Sequence, residues 1–298
     1  MGEKFARSWM LTKQSWAVLR EDKHLMLFPI ISGIAILLLM IVSLGGGGAI
    51  LWSTGAFETA GSQADQQQHL NNVLHSPVAY AALFVFYFVS NFVVIYFNAA
   101  LVSCVINRFR GVESGFGAGL RAANARLPKI LAWAALNATV GVIMKIAEER
   151  LGWIGRLILR GIAFAWNIAT FFVVPVLVVD NVGPIDAVKK SVEVLKKSWG
   201  ESLIVQTGVG LVMGLLTIGV LLLGVGAAVG VGVLTQSVGL AFIPVAVMLV
   251  VMTALVLIST TMRSILVAAC YRYATTGQAP DAFAADSLQA MFGVKRKK

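Results

Sequence analysis

The side chains that could do chemistry stand inside stretches that are otherwise apolar: Asn91, Asn98, Asn137, Thr139 and Asn167. A carboxamide carries two donors and an acceptor, so in hydrocarbon it must find a neighbouring helix, a backbone carbonyl or a water-filled space. Asn91 and Asn98 are seven residues apart and share a helix face. Asn167 stands eight residues before Pro175, and a helical proline leaves a carbonyl one turn back without its N–H partner. These groups either tie helices together, at about 0.6 to 2 kcal/mol per bond, or line a polar pathway. No acidic residue sits near the middle of an apolar stretch, which argues against a proton-coupled pump.

A second set is basic. In PIDAVKKSVEVLKKSWGESL, Ile185, Val188, Val192, Leu195 and Trp199 recur at helical spacing and predict one apolar face. Lys189, Lys190, Lys196 and Lys197 flank that face, within reach of anionic head groups at about 1 kcal/mol each, or they serve only to set topology. The N-terminal segment has the same character: Phe5, Trp9, Trp16 and Leu19 are expected at the apolar boundary, with Arg7, Lys13 and Arg20 facing water.

Catalytic patterns are missing. The histidines form no HExxH, and His69 and His75, six apart, read as polar loop residues, so neither a metal nor another cofactor is expected. Cys104 and Cys270 read as free thiols. GAGLRAAN lacks the strand, turn and helix that a nucleotide fingerprint needs. A net charge of +10 would suggest nucleic acid in a soluble chain. Here it goes to membrane orientation, including the terminal VKRKK, and no nucleic-acid partner is expected.

What must position these residues is a set of six apolar runs, at 25–45, 78–106, 128–147, 161–179, 203–233 and 238–262. A hydrocarbon core of about 30 Å takes roughly 20 helical residues, and a soluble domain would not combine such runs with 13% charged residues. The fold class expected is an all-α polytopic transmembrane bundle, one domain over residues 1–298. It comprises an amphipathic segment at 1–24, an extracytoplasmic loop at 46–77, a cytoplasmic amphipathic helix at 184–200 and a cytoplasmic tail at 273–298. The first run is too long for a signal peptide and reads as the first membrane helix. With both termini in the cytoplasm, twenty of the 24 Lys and Arg lie inside, in keeping with the positive-inside rule. The discordant linker is 145–160, whose Lys145, Arg150, Arg156 and Arg160 would lie outside. It reads as an interfacial helix between full crossings, or as the tip of a re-entrant pair.

The chain is organised as three helical hairpins with amphipathic junctions, and SWAVLREDKHLMLF resembles SVEVLKKSWGESLI, a faint sign of duplication. In the glycine-rich fifth run, Gly210 and Gly214 are four apart, as are Gly226 and Gly230. That spacing lets helix backbones meet closely, within the chain or against a second copy of it.

At VVPVLVVDNVGPIDAVKKSVEVLKKSWGESL the chain resembles a family of uncharacterised prokaryotic integral membrane proteins, itself distantly similar to the membrane region of some glycerophosphodiester phosphodiesterases. The matching residues are Pro175, Asp180, Gly183, Pro184, Ala187, Lys190, Ser191, Trp199 and Gly200. The resemblance implies a cytoplasmic (inner) membrane location and six helices with amphipathic connectors, and it supplies no catalytic residue. The expected function is that of a non-enzymatic membrane protein that binds or senses a lipid or other hydrophobic molecule, or scaffolds a complex. The expected partners are membrane lipids, anionic ones included, and a second copy of the chain. A small-solute transporter or channel is the alternative.

Overall fold

The computed structural model describes residues 2–53, 72, 76–197 and 202–284, apart from the side chains of 2–8, 47, 49–53, 197, 202–211 and 238. Most of the 46–77 loop, with His69 and His75, lies outside the described residues, as do Trp199, Gly200 and the end of the tail. The chain is all-α. Its helices are α1 (Gly2–Glu21), a 3-10 turn (Lys23–Met26), α2 (Leu27–Ser53), α3 (Pro77–Phe109), α4 (Phe116–Asn124) and α5 (Leu127–Arg150). After these come α6 (Trp153–Ala169), α7 (Val173–Asp180), α8 (Pro184–Lys197), α9 (Ser202–Thr235) and α10 (Val238–Thr276).

Six segments are long and apolar enough to cross a bilayer: Lys23–Gly46, Pro77–Phe109, Leu127–Arg150, Trp153–Asp180, Val212–Thr235 and Gly239–Thr276. By length and composition this is a multi-pass membrane protein. Their outward faces carry Leu37, Ile41, Leu223, Leu234, Phe242 and Val250 in the open. So much exposed apolar surface is what contact with lipid tails requires.

The order of elements is a short helix followed by two spans, three times over: α1 before α2 and α3, α4 before α5 and α6–α7, α8 before α9 and α10. The buried core lies at one end of the bundle. It gathers Phe28 from the start of α2, Leu101 and Val105 from late α3, Ile130 and Trp133 from early α5, Val176 and Leu177 from α7, and Ile265 and Ala269 from late α10. Starts and ends of successive spans alternate at that end, as antiparallel crossings demand.

Two expectations are corrected here. Residues 145–160 are not a separate connector: Lys145 and Arg150 belong to α5, Arg156 and Arg160 to α6, and only Leu151 and Gly152 lie between. Gly152 is extended at the α6 N-cap (φ −65°, ψ −177°) and turns the chain within two residues. The second correction concerns α8. It buries Ala187, Ser191, Val194 and Leu195, while Ile185 is 63% exposed. Val188 is partly buried and Leu195 buried, as the apolar face requires, but the helix is seated most deeply through two small residues at four-residue spacing, Ala187 and Ser191.

The first and third short helices pack alike. On α1 the buried residues include Ser15, Val18 and Leu19, with Lys13 and Arg20 exposed; on α8 they include Ser191, Val194 and Leu195, with Lys189 and Lys196 exposed. Trp9 and Trp16 turn outward with Lys13, whose ammonium lies 5.5 Å from the Trp9 ring centroid. An indole beside a cation on an outward face suits the boundary between head groups and tails.

Candidate functional site

The fourth span is broken. α6 ends at Ala169 and α7 begins at Val173, and the turn between them is held by local chemistry. The Trp166 carbonyl accepts from both the Thr170 N–H at 3.0 Å and the Thr170 hydroxyl at 2.8 Å. Pro175 lacks an N–H, so the Phe171 carbonyl loses its helical donor. The buried Phe172 N–H donates instead to the Ser191 hydroxyl of α8 at 3.0 Å. α7 ends at Asn181 in the left-handed region (φ 55°), where Lys129 donates to both the Asn181 backbone and side-chain oxygens. Asp180 accepts from the Tyr271 hydroxyl at 2.6 Å and pairs with Lys190 at 3.0 Å. Pro175, Asp180, Pro184, Ala187, Lys190 and Ser191, read above as family wording, are thus the residues that hold this break against α8 and α10.

Beside the break is a cavity of about 740 Å³ between α3, α6–α7 and α10. Its polar lining is Asn98, Asn167, Thr170, Arg263 and Ser264, set among Phe164, Phe171, Val174 and Pro175. Ser264 donates to Asn98 Oδ1 at 2.9 Å, so α3 and α10 are tied at its wall and the amide N–H donors of Asn98 have no protein acceptor among the described residues. No ion pair among the described residues involves Arg263. Arg263 is exposed, so its guanidinium is open to a partner from outside the chain. Arg263 was readable in the sequence only as a charge ending an apolar run. Nothing there showed that α10 continues to Thr276 and carries it into a wall shared with Asn98 and Asn167.

The other two asparagines do not meet this cavity. Asn91 donates to the Tyr87 carbonyl at 2.7 Å and accepts from Asn137 at 2.7 Å, and Asn137 in turn accepts from the Trp166 indole at 3.2 Å. The Trp166 and Trp133 rings stack with centroids 6.0 Å apart. This ladder ties α3, α5 and α6, which is the packing alternative for Asn91 and Asn137, while Asn98 and Asn167 line the cavity, Asn98 with its oxygen bonded across to Ser264. Asn137→Leu should lower stability by about 1–2 kcal/mol, because it leaves the Asn91 carbonyl and the Trp166 N–H without partners. Adding Asn91→Leu should recover part of that loss, as a detergent-melting double-mutant cycle would read.

The four lysines divide. Lys190 is committed to Asp180, Lys189 is exposed and 3.4 Å from Asp186, Lys196 is exposed, and the Lys197 side chain lies outside the described residues. Of the glycines, Gly214, Gly226 and Gly230 face open space, with nothing within 4 Å of an added Cβ, and Gly210 lies outside the described side chains. They therefore do not mark a close contact within one copy of the chain. The close approach of α9 to α10 runs instead through Gly224, where a Cβ would lie 2.5 Å from Met248, and Gly232, 3.5 Å from the Ala241 Cβ.

A second cavity, of about 480 Å³, lies at the core end between the 3-10 turn and the end of α3. Of its lining groups, Arg108 bonds Glu21 and Asp22, His24 Nε2 meets the Ser114 carbonyl at 3.0 Å, and Glu113 is exposed. Among the described residues no three His, Cys, Asp or Glu side chains gather so as to hold a metal ion. Cys104 and Cys270 are buried free thiols.

No curated protein and no solved structure matches the chain. A family model described as a family of unknown function (DUF6159) matches residues 77–281, a stretch that holds every helix lining the larger cavity. With well over half of its length matched, the chain belongs to that family.

Proposed function

We propose that the protein is a non-enzymatic lipid-binding membrane protein, which takes the head group of an anionic lipid into the cavity between α3, α6–α7 and α10. The observation that carries this is Arg263, a cation without an acidic partner among the described residues, in a cavity whose other polar groups are amides and hydroxyls. A phosphate accepts from a guanidinium in parallel hydrogen bonds and from Asn and Thr donors around it. Phe164, Phe171, Val174 and Pro175 give the adjoining glycerol and acyl chains an apolar wall. The exposed Lys189 and Lys196, with Lys13 and Arg20 on α1, raise the local concentration of anionic lipid. Their number supports an orientation with the core end in the cytoplasm, and the resemblance at residues 175–200 supports an inner-membrane location.

Native mass spectrometry of protein released from mixed phosphatidylglycerol and phosphatidylethanolamine vesicles tests this. The expected result is a retained anionic lipid, with Lys189→Gln/Lys196→Gln lowering uptake at low lipid fraction and leaving the retained lipid in place. Protein that keeps no lipid, or keeps the two kinds in proportion to the vesicle, would overturn the reading. The interrupted span at the cavity wall favours a second reading, transport of a small water-soluble anion. Saturable flux of such an anion, lost in Asn98→Leu, would displace the first.

A further inference from the structure

We infer that α6 carries a head-group path leading from the cavity toward the far end of the bundle, along which anionic phospholipid exchanges between leaflets. This rests on the reading of the cavity as a lipid head-group site. Arg156, Arg160, Phe164, Asn167 and Phe171 follow one another at steps of four, four, three and four residues. Such steps keep Arg156, Arg160, Phe164 and Asn167 on one face of α6, and Phe164 and Asn167 line the cavity together with Phe171 of the turn that follows. Arg160 and Arg156 therefore continue the cavity wall by one and two turns.

The rest of α6 is an open helix rather than a packed strut. No residue of α6 is buried, and Ile154, Ile158 and Ile162, on the face away from Arg156 and Arg160, are open as lipid-facing residues are. Neither arginine enters an ion pair among the described residues, although both belong to a segment long and apolar enough to cross the bilayer. From Arg156 to Asn167 the helix rises about 16 Å, roughly half the hydrocarbon thickness, with cations one turn apart at its start and Arg263 across the cavity at its end. A phosphate can pass from one guanidinium to the next while its acyl chains remain in the surrounding lipid, because Arg156 and Arg160 are both exposed. The exposure of Arg156 and Arg160 and the absence of a carboxylate partner for either among the described residues make each station exchangeable.

The test uses the full chain in vesicles that contain a trace of phosphatidylglycerol labelled with a nitrobenzoxadiazole group on one acyl chain. Dithionite bleaches label only in the outer leaflet. With wild-type protein, bleaching should run past the outer-leaflet share seen in protein-free vesicles. Arg160→Gln should slow that second phase at least tenfold, Arg160→Lys should keep most of it, and Ile158→Ala on the opposite face should leave it unchanged. Lipid retention by native mass spectrometry should survive in Arg160→Gln, which also shows that the variant is folded. A wild-type trace equal to that of protein-free vesicles, or an unchanged rate in Arg160→Gln, would overturn the path while retained lipid leaves the cavity reading standing. Loss of retention in the wild type would sink both.

Discussion

Arg263→Gln is expected to release the anionic lipid that the wild-type protein retains, lowering its apparent affinity at least tenfold. Glutamine keeps much of the length and some hydrogen-bonding capacity but removes the charge, so the loss reads the ionic part of the contact. A hydrogen bond to a charged group contributes about 1.5–3 kcal/mol, equivalent to roughly ten- to a hundredfold in affinity. Arg263→Lys should fall between the two, because an ammonium keeps the charge without the paired geometry of a guanidinium. Folding should survive, since Arg263 lies on the exposed side of α10 while its neighbours Met262 and Ile265 hold the core. Native mass spectrometry on the three proteins, in vesicles of one composition, gives the order. Equal retention in Arg263→Gln and wild type would remove the cavity as the anionic site.

The spans were legible because a 20-residue apolar run has few other readings, and the boundaries moved only where two helices abut or one continues. Leu151 and Gly152 turn the chain in two residues, so the basic stretch around them looked like a linker although it belongs to two helices. Partner choice among the asparagines was not legible. Asn91 and Asn98 share a face, yet one meets Asn137 on α5 and the other Ser264 on α10, because the neighbours of α3 change along its 33 residues. The apolar face of α8 was legible in Val188 and Leu195 but not in Ile185, for a related reason. Periodicity ranks positions by hydrophobicity, whereas this helix is seated by a hydroxyl that takes the Phe172 N–H, with the small Ala187 one turn earlier. Arg263 was read as a snorkelling charge at the end of a run. Its place in a cavity depends on α6–α7, nearly a hundred residues earlier in the chain.

Gly119 is expected to tolerate substitution least of the described glycines. A Cβ there would lie 2.6 Å from Cys104 Sγ, 2.7 Å from Phe28 Cζ and 2.8 Å from the Ala100 carbonyl oxygen. The first two belong to buried side chains and the third is helix backbone, so none can give way cheaply. Gly119→Ala should cost about 1–3 kcal/mol as an overpacked site, and Gly119→Leu should prevent α4 from docking on α3. Gly224→Ala should be milder, since Met248 is unbranched and can repack. Leucine at Gly214, Gly226 or Gly230 meets open space within one copy, and there the gain in helix propensity should leave the melting temperature in detergent equal or higher. If leucine at these three instead weakens crosslinking between copies while the monomer stays folded, a second chain covers that face. Melting curves for the five positions separate the cases, and wild-type stability in Gly119→Ala would refute the close contact between α4, α3 and Phe28.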